Sequence, residues 1–488
     1  MFQKGKLWVI SLLTLAILGT VINLQGMSSK STPTLRSFAP YITIKRDQIP
    51  SYLIDMIYHE NTKKVTGNMK VMVPNRTTKP LDELYFHLYP NAFANWKWEE
   101  VTKPKTNGYL KVIKASINQI EAFPHQKDTL LKLNLPIPLQ PNKAAMVEIT
   151  FELKLPTRGL RLNQTPYSAY LAQWYPMLAV VDNQGWHIDP YTTTGDPFFS
   201  EIADFKVHVQ VPEGYTVISS ANDPHHEVAN EKQVTLSQQK IRDFAMVITK
   251  EYESISGITK DGVKTNLWYL SDQQAVAPLL LGAATDAMQF FNESFGSYPM
   301  KEIDIVLANS GYGIAGMEYP GLVTSDAYIE EGKKKWPAYH VVAHELAHQW
   351  WYSTVGNNQI EEPWLDEGLT SFSEYLYTEQ VLKRKNIDVL MKKIKQTTDQ
   401  LSAEQNVSVL QSIYSYGDLY GLFIYARPAA MLWELKEEFG DQKVKELLQT
   451  YYKNYRFKIA STEDFIQTAN TVLNKDMSPF FNQWLITR

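Results

Sequence analysis

Hydrophobic and polar positions change their rhythm once along this chain. From about residue 40 to 255 they alternate with period two, as strands with one buried face require. Met146-Val147-Glu148-Ile149-Thr150-Phe151-Glu152-Leu153-Lys154-Leu155 and Phe205-Lys206-Val207-His208-Val209-Gln210-Val211 carry the pattern most clearly. Turn-forming breaks such as Val211-Pro212-Glu213-Gly214 separate the runs. After about residue 256 the apolar positions follow a helical period, over 274–294, 337–353, 364–384, 387–403, 426–438 and 442–454. A short β-like section, Ile303-Asp304-Ile305-Val306-Leu307, lies between the first two of these. The expectation is an α+β multidomain chain: an antiparallel β domain over 27–255, then a mixed, mostly helical domain over 256–488. No internal repeat or long low-complexity segment is visible.

The N-terminus follows neither rhythm. Lys4 and Lys6 precede an apolar run from Leu7 to Ile22, and a Ser/Thr/Lys stretch follows near 28–35. That is a secretory targeting segment. The run is slightly short for a full span, yet the small-x-small cleavage pattern is poor around Leu24-Gln25-Gly26, and no cysteine exists for lipidation. Residues 1–26 are therefore read as a retained membrane anchor with the rest of the chain extracytoplasmic. The alternative is a cleaved signal and a secreted protein.

Composition narrows the chemistry. The 488 residues carry a net charge of −4, so no basic excess exists to neutralise nucleic-acid phosphates. Lys333-Lys334-Lys335 reads as a solvated loop. With no cysteine, disulfides and thiol nucleophiles are excluded, and a metal site must use histidine and carboxylates.

Such a site is present. His344-Glu345-Leu346-Ala347-His348 is an H-E-x-x-H run, and Glu367 follows after eighteen intervening residues. Residues four apart share one face of a helix, so both imidazoles can converge on one metal. A catalytic zinc takes three protein ligands and keeps a position for water. Glu367, in Pro363-Trp364-Leu365-Asp366-Glu367-Gly368 at the head of the next helical stretch, is the third. Glu345 lies beside the first ligand, where a general base belongs. His340, one turn earlier, is some 12 Å along the helix from His348, too far for the same ion, and is read as supporting or packing. The residues define metal-assisted hydrolysis with one zinc per chain, without saying where a peptide is cut.

H-E-L-A-H-Q-W-W with W-L-D-E-G downstream resembles the membrane alanyl-aminopeptidase family, gluzincin zinc aminopeptidases that include leukotriene A4 hydrolase. Gly316-Met317-Glu318-Tyr319 stands where that family carries G-x-M-E-N. The resemblance runs from about residue 50 to the C-terminus and implies a saddle-like β domain followed by a thermolysin-like catalytic domain. It implies that Glu318 binds the substrate's free α-amine, that the Gly316 backbone lies close to substrate, and that Met317 lines the first side-chain pocket. The family's oxyanion tyrosine, in Y-x-K-G, is matched loosely by Tyr425-Ala426-Arg427-Pro428, with Tyr414, Tyr416 and Tyr420 as competitors. Tyr319 replaces the motif's final Asn. The family's F-P-C-x-D-E-P is replaced by Trp174-Tyr175-Pro176-Met177-Leu178-Ala179-Val180-Val181-Asp182, and Gln173 is the nearest polar candidate for a second amine ligand, at the wrong spacing.

The expected function is removal of N-terminal residues from peptides with a free N-terminus. A thermolysin-like endopeptidase and a catalytically inactive peptide-binding protein are the alternatives.

Overall fold

A computed structural model describes residues 41–98, 102–222, 233–308, 315–331 and 334–486. The targeting segment at 1–26 lies outside them. Among the described residues no helix is long and apolar enough to cross a membrane.

The alternating runs form strands as their period demands. Lys143–Lys154 buries Ala145, Val147, Ile149, Phe151 and Leu153, each at 1% exposure or less. It lies inside an eight-stranded sheet whose path runs Gln233–Ile241, Ala203–Gln210, Ser51–His59, Lys64–Pro74, Lys143–Lys154, Tyr109–Ile117 and Ile120–Ala122. Ile42–Thr43 pairs beside it. Two four-stranded sheets complete the β-rich part. One pairing departs from the antiparallel expectation: Ala203–Gln210 runs parallel to Ser51–His59.

The second half is a five-stranded mixed sheet with eight described helices, α1 (Ala277–Phe295), α2 (Tyr339–Ala347), α3 (Trp364–Gln380), α4 (Ile387–Gln405), α5 (Arg427–Phe439), α6 (Asp441–Tyr455), α7 (Thr462–Leu473) and α8 (Ser478–Leu485). The sheet order is Glu253–Ile258, Lys264–Tyr269, Glu302–Leu307, Leu322–Ser325, Gly316–Met317. The division expected at 255/256 falls inside its first strand. Lys334, expected in a loop, stands on Lys334–Pro337, which pairs with Tyr328–Glu331 as a hairpin; Lys334 and Lys335 are solvent-exposed there, as expected.

Apolar residues of both halves share one continuous core, from Tyr52 to Leu485. One cation stitches the halves together. Arg242 is 3% exposed and donates to the carbonyls of Ser200, Tyr352 and Lys458, at 3.1, 2.6 and 2.5 Å. A buried guanidinium is costly unless its donors are engaged, and these bonds engage all three of its nitrogens. A Cβ on Gly356 would collide with that guanidinium, so the crossing requires glycine there.

Candidate active site

Helix α2 delivers His344 and Glu345, and then ends sooner than its apolar pattern predicted. His348 is its C-cap residue, with φ −59°, and its amide still bonds to the His344 carbonyl at 3.3 Å. The chain then turns sharply, with Tyr352 at φ 124° and its carbonyl held by Arg242. Glu367 comes from the first turn of α3, where a carboxylate suits the helix dipole. Ligand atoms of His344, His348 and Glu367 lie within 4.8 Å of one another. Glu367 Oε2 is 3.4 Å from His344 Nε2 and 3.2 Å from His348 Nε2.

Both rings are gripped from behind. His344 Nδ1 meets Glu374 at 3.3 Å; His348 Nδ1 meets the Trp351 carbonyl at 3.0 Å and Thr370 at 3.1 Å. A carbonyl only accepts, so the proton of a neutral His348 sits on Nδ1 and its Nε2 lone pair faces the cluster. Two oriented imidazoles and a carboxylate fit zinc and leave a position for water. His340 stays outside this set, as the helix rise requires: its Nδ1 reaches Glu374 at 3.3 Å and Thr378 at 3.4 Å.

The cluster opens on a cleft of about 440 Å³. Five carboxyl groups line it, those of Asp196, Glu318, Glu345, Glu367 and Glu374, and of these Glu318, Glu345 and Glu367 are buried. Burial pushes Glu318 well above the usual carboxylate range, and the charges of Asp196, Glu345 and Glu367 push it further. Burial raises Glu345 to about 7, against the pull of His344 and His348. Burial would also raise Glu367, but charge from His348 and hydrogen bonds to both rings hold it well below its ordinary value. For His344 burial opposes the charged form, and hydrogen bonds to Glu367 and Glu374 outweigh it and raise the ring. Imidazoles drawn towards their charged forms by buried carboxylates mark a place that a metal cation can take instead.

Strand Gly316–Met317 forms one wall, pairing with Leu322–Ser325. A Cβ on Gly316 would strike the Glu345 carboxylate, so glycine is what lets strand and base touch. Glu318 is 4% exposed, and its carboxylate falls within 4.8 Å of ligand atoms of Glu345 and His348. Met317 Sδ is 2.7 Å from Arg161 Nε.

Gln173 is elsewhere. Its amide donates to Asp243 at 2.6 Å, outside the cleft lining. The β-rich half contributes Asp196 instead, ion-paired to Arg161, with both residues lining the cleft. Sequence reasoning missed this pair. No local periodicity or motif in the sequence marks it; tertiary packing brings it to the cleft.

Tyr425 stands on a π-helical segment, Gly421–Ala426, a backbone form met often at functional sites. Its hydroxyl donates to Glu367 Oε1 at 2.5 Å, and its ring stacks on His344 with centroids 5.8 Å apart. Burial, then the Glu367 charge, hold its proton in place well above pH 10. Two competitors are spent elsewhere: Tyr414 donates to the Pro190 carbonyl, and Tyr416 to those of Val409 and Gln411. Tyr420 lines the cleft beside Tyr425, their ring centroids 5.8 Å apart.

A β-rich half is thus joined to a helical half, and a two-histidine, one-glutamate cluster takes its histidines from the H-E-x-x-H run and its glutamate from α3. Residues 280–484 match the Peptidase family M1 domain. Aminopeptidase N of Haemonchus contortus is 26% identical over 264 residues, covering 49% of this chain and 27% of that protein. Glutamyl aminopeptidase of Bos taurus is 24% identical over 249 residues, covering 48% of this chain and 26% of its own length. The matched part thus spans about a quarter of these relatives. Among solved structures, the M1 zinc metallopeptidase from Deinococcus radiodurans superposes with a TM-score of 0.65 at 18% identity, covering 90% of this chain and 94% of that one. A mutant of that enzyme bound to a Tyr-Ser-Ala substrate also gives 0.65 at 18% identity, over 92% and 94%. These likenesses establish the fold.

Proposed function

We propose that this chain is a zinc-dependent aminopeptidase that hydrolyses the first peptide bond of substrates with a free N-terminus. The observation that carries the reading is the position of Glu318: its buried carboxylate groups with Glu345 and His348 within 4.8 Å. An α-ammonium held there leaves only the adjacent carbonyl within reach of the His344–His348–Glu367 cluster. Asp196 faces the same end of the cleft. With Arg161 neutralising one of the two carboxylates, a single negative charge is left over for a single ammonium. Met317 forms part of the wall for the first side chain.

One zinc ion would be held by His344, His348 and Glu367, since the Glu318–Glu345–His348 grouping shares His348 with it. When bound, zinc supplies Lewis acidity towards water and the substrate carbonyl. Glu345 takes the proton of the attacking water and returns it to the leaving amine, a general base and then a general acid. Tyr425, kept protonated by burial, donates to the carbonyl oxygen as charge develops on it. Burial of these groups strengthens each interaction by excluding water.

The targeting segment supports export and attachment to the cell membrane, with peptides outside the cytoplasm as substrates. Fractionation checks this: the full chain should stay with membranes and residues 27–488 should not. The enzymatic reading is tested by the products formed from a free peptide. Release of single N-terminal residues, abolished by a zinc chelator and restored by zinc, is expected. Chelator-insensitive release, or internal fragments alone, would overturn it.

A further inference from the structure

Gln349 follows the second histidine, is 0% exposed, and takes no part in the chemistry above. Its amide nonetheless makes four hydrogen-bond contacts. Nε2 donates to the Tyr319 carbonyl at 3.1 Å and to the Glu318 carbonyl at 3.4 Å. Oε1 accepts from the Gly321 amide at 3.0 Å and from the Tyr298 hydroxyl at 3.4 Å. Glu318 opens a tight turn, Tyr319-Pro320-Gly321-Leu322, closed by the Leu322 amide on the Tyr319 carbonyl at 3.1 Å. Gly321 has φ 72° at its third position, with proline before it, a type II arrangement. A Cβ on Gly321 would press on Met300 and on the Ser220 carbonyl. Gln349 thus takes the Gly321 amide, which the turn leaves open, and shares the Tyr319 carbonyl with the Leu322 amide that closes the turn.

We infer that Gln349 is a positioning residue that locks the amine-binding turn to the metal helix and so fixes how far Glu318 stands from the metal. The inference rests on the amine-anchor reading of Glu318. The physical need is plain. An exopeptidase depends on one separation, between the carboxylate that holds the ammonium and the metal that faces the first carbonyl. Glu318 stands between a strand and a turn, while His348 stands at a helix end. Both sides of the link are rigid: Gln349 is chained to His348, and Thr354 donates to the Gln349 carbonyl at 2.7 Å. A planar amide that donates to one carbonyl of a turn and accepts from its inner N–H fixes the turn in two directions at once, which an apolar side chain of equal size cannot do. A displacement of about 1 Å in such a constellation can cost about a hundredfold.

The test compares inhibition by an amino-acid hydroxamate with inhibition by its deamino analogue, in the zinc-loaded enzyme. The hydroxamate grips the metal in both compounds, so the ratio of their inhibition constants reads the amine contacts alone. In Gln349→Met the ratio should fall at least tenfold, while the deamino compound binds within about twofold of wild type and zinc content is unchanged. Gln349→Glu keeps the acceptor but loses the donor, and should show the same loss even where the methionine variant folds poorly. Glu318→Gln serves as the reference. A ratio that falls in Glu318→Gln but holds within twofold in a zinc-loaded Gln349 variant overturns this inference and leaves the amine anchor standing. A ratio unmoved in Glu318→Gln overturns both.

Discussion

His344, His348 and Glu367 come from two successive helices and lie within 23 residues of one another, whereas Glu318 and Asp196 meet from a strand edge and from a loop in the other half of the molecule. The first group is fixed by helix geometry, because a four-residue spacing alone puts both imidazoles on one face. The second group has no such local rule. Glu318 depends on a glycine that lets its strand touch Glu345, and Asp196 depends on Arg161 and on the way the two halves are joined. A metal centre of this kind is therefore robust and generic, and the proposed selectivity for a free N-terminus rests on the part built by tertiary packing.

That difference decides what a sequence shows. The ligand trio and Glu345 are legible because each stands at a fixed step on a periodic element. Tyr425 is half legible: its distance past Glu367 pointed to it, but only the observed hydrogen bonds remove Tyr414 and Tyr416, which serve backbone carbonyls instead. Asp196 was hidden because it reaches the cleft from a loop of the other half, which no local period marks. Gln173 looked polar and available, yet it is spent on Asp243, whose carboxyl burial raises to about 6. In the fold, six helical patterns corresponded to helices, and α7 and α8 were missed. For α7 the signal existed: Ser461 and Asp464 form a capping box ahead of Phe465 and Ile466. Helix α8 is eight residues long, too short for a period to stand out. The parallel pairing of Ala203–Gln210 with Ser51–His59 is a long-range choice that alternation cannot specify, since period two is common to both kinds of ladder.

Substitutions can pull the two ends of the cleft apart, and the largest effect belongs to the metal end. Glu345→Gln keeps the shape of the side chain but removes the base, and kcat should fall about 10²–10⁴-fold with zinc content intact; zinc analysis beside steady-state kinetics checks this. Near-normal turnover would move the proton transfer to another group. Tyr425→Phe should lower kcat about 10²–10³-fold with little change in KM, and a wild-type rate would hand the oxyanion to Tyr420. The amine end should respond in binding instead. Asp196→Asn removes a charged partner of the ammonium, worth roughly 1.5–3 kcal/mol, and should raise KM for free peptides by about ten- to a hundredfold while kcat changes less. Equal losses in kcat and KM would place Asp196 with the chemistry and erase the distinction between the ends.

The central claim, that Glu318 makes a generic metal hydrolase into one that reads a free N-terminus, is met most directly by one comparison. Wild type and Glu318→Ala would each be given a peptide and its N-acetylated twin, with zinc content matched and initial rates measured. The account predicts that wild type cleaves the free peptide far faster than its twin, and that Glu318→Ala erases most of that preference by losing activity on the free peptide alone. Equal slowing of both peptides, with the preference preserved, would contradict it.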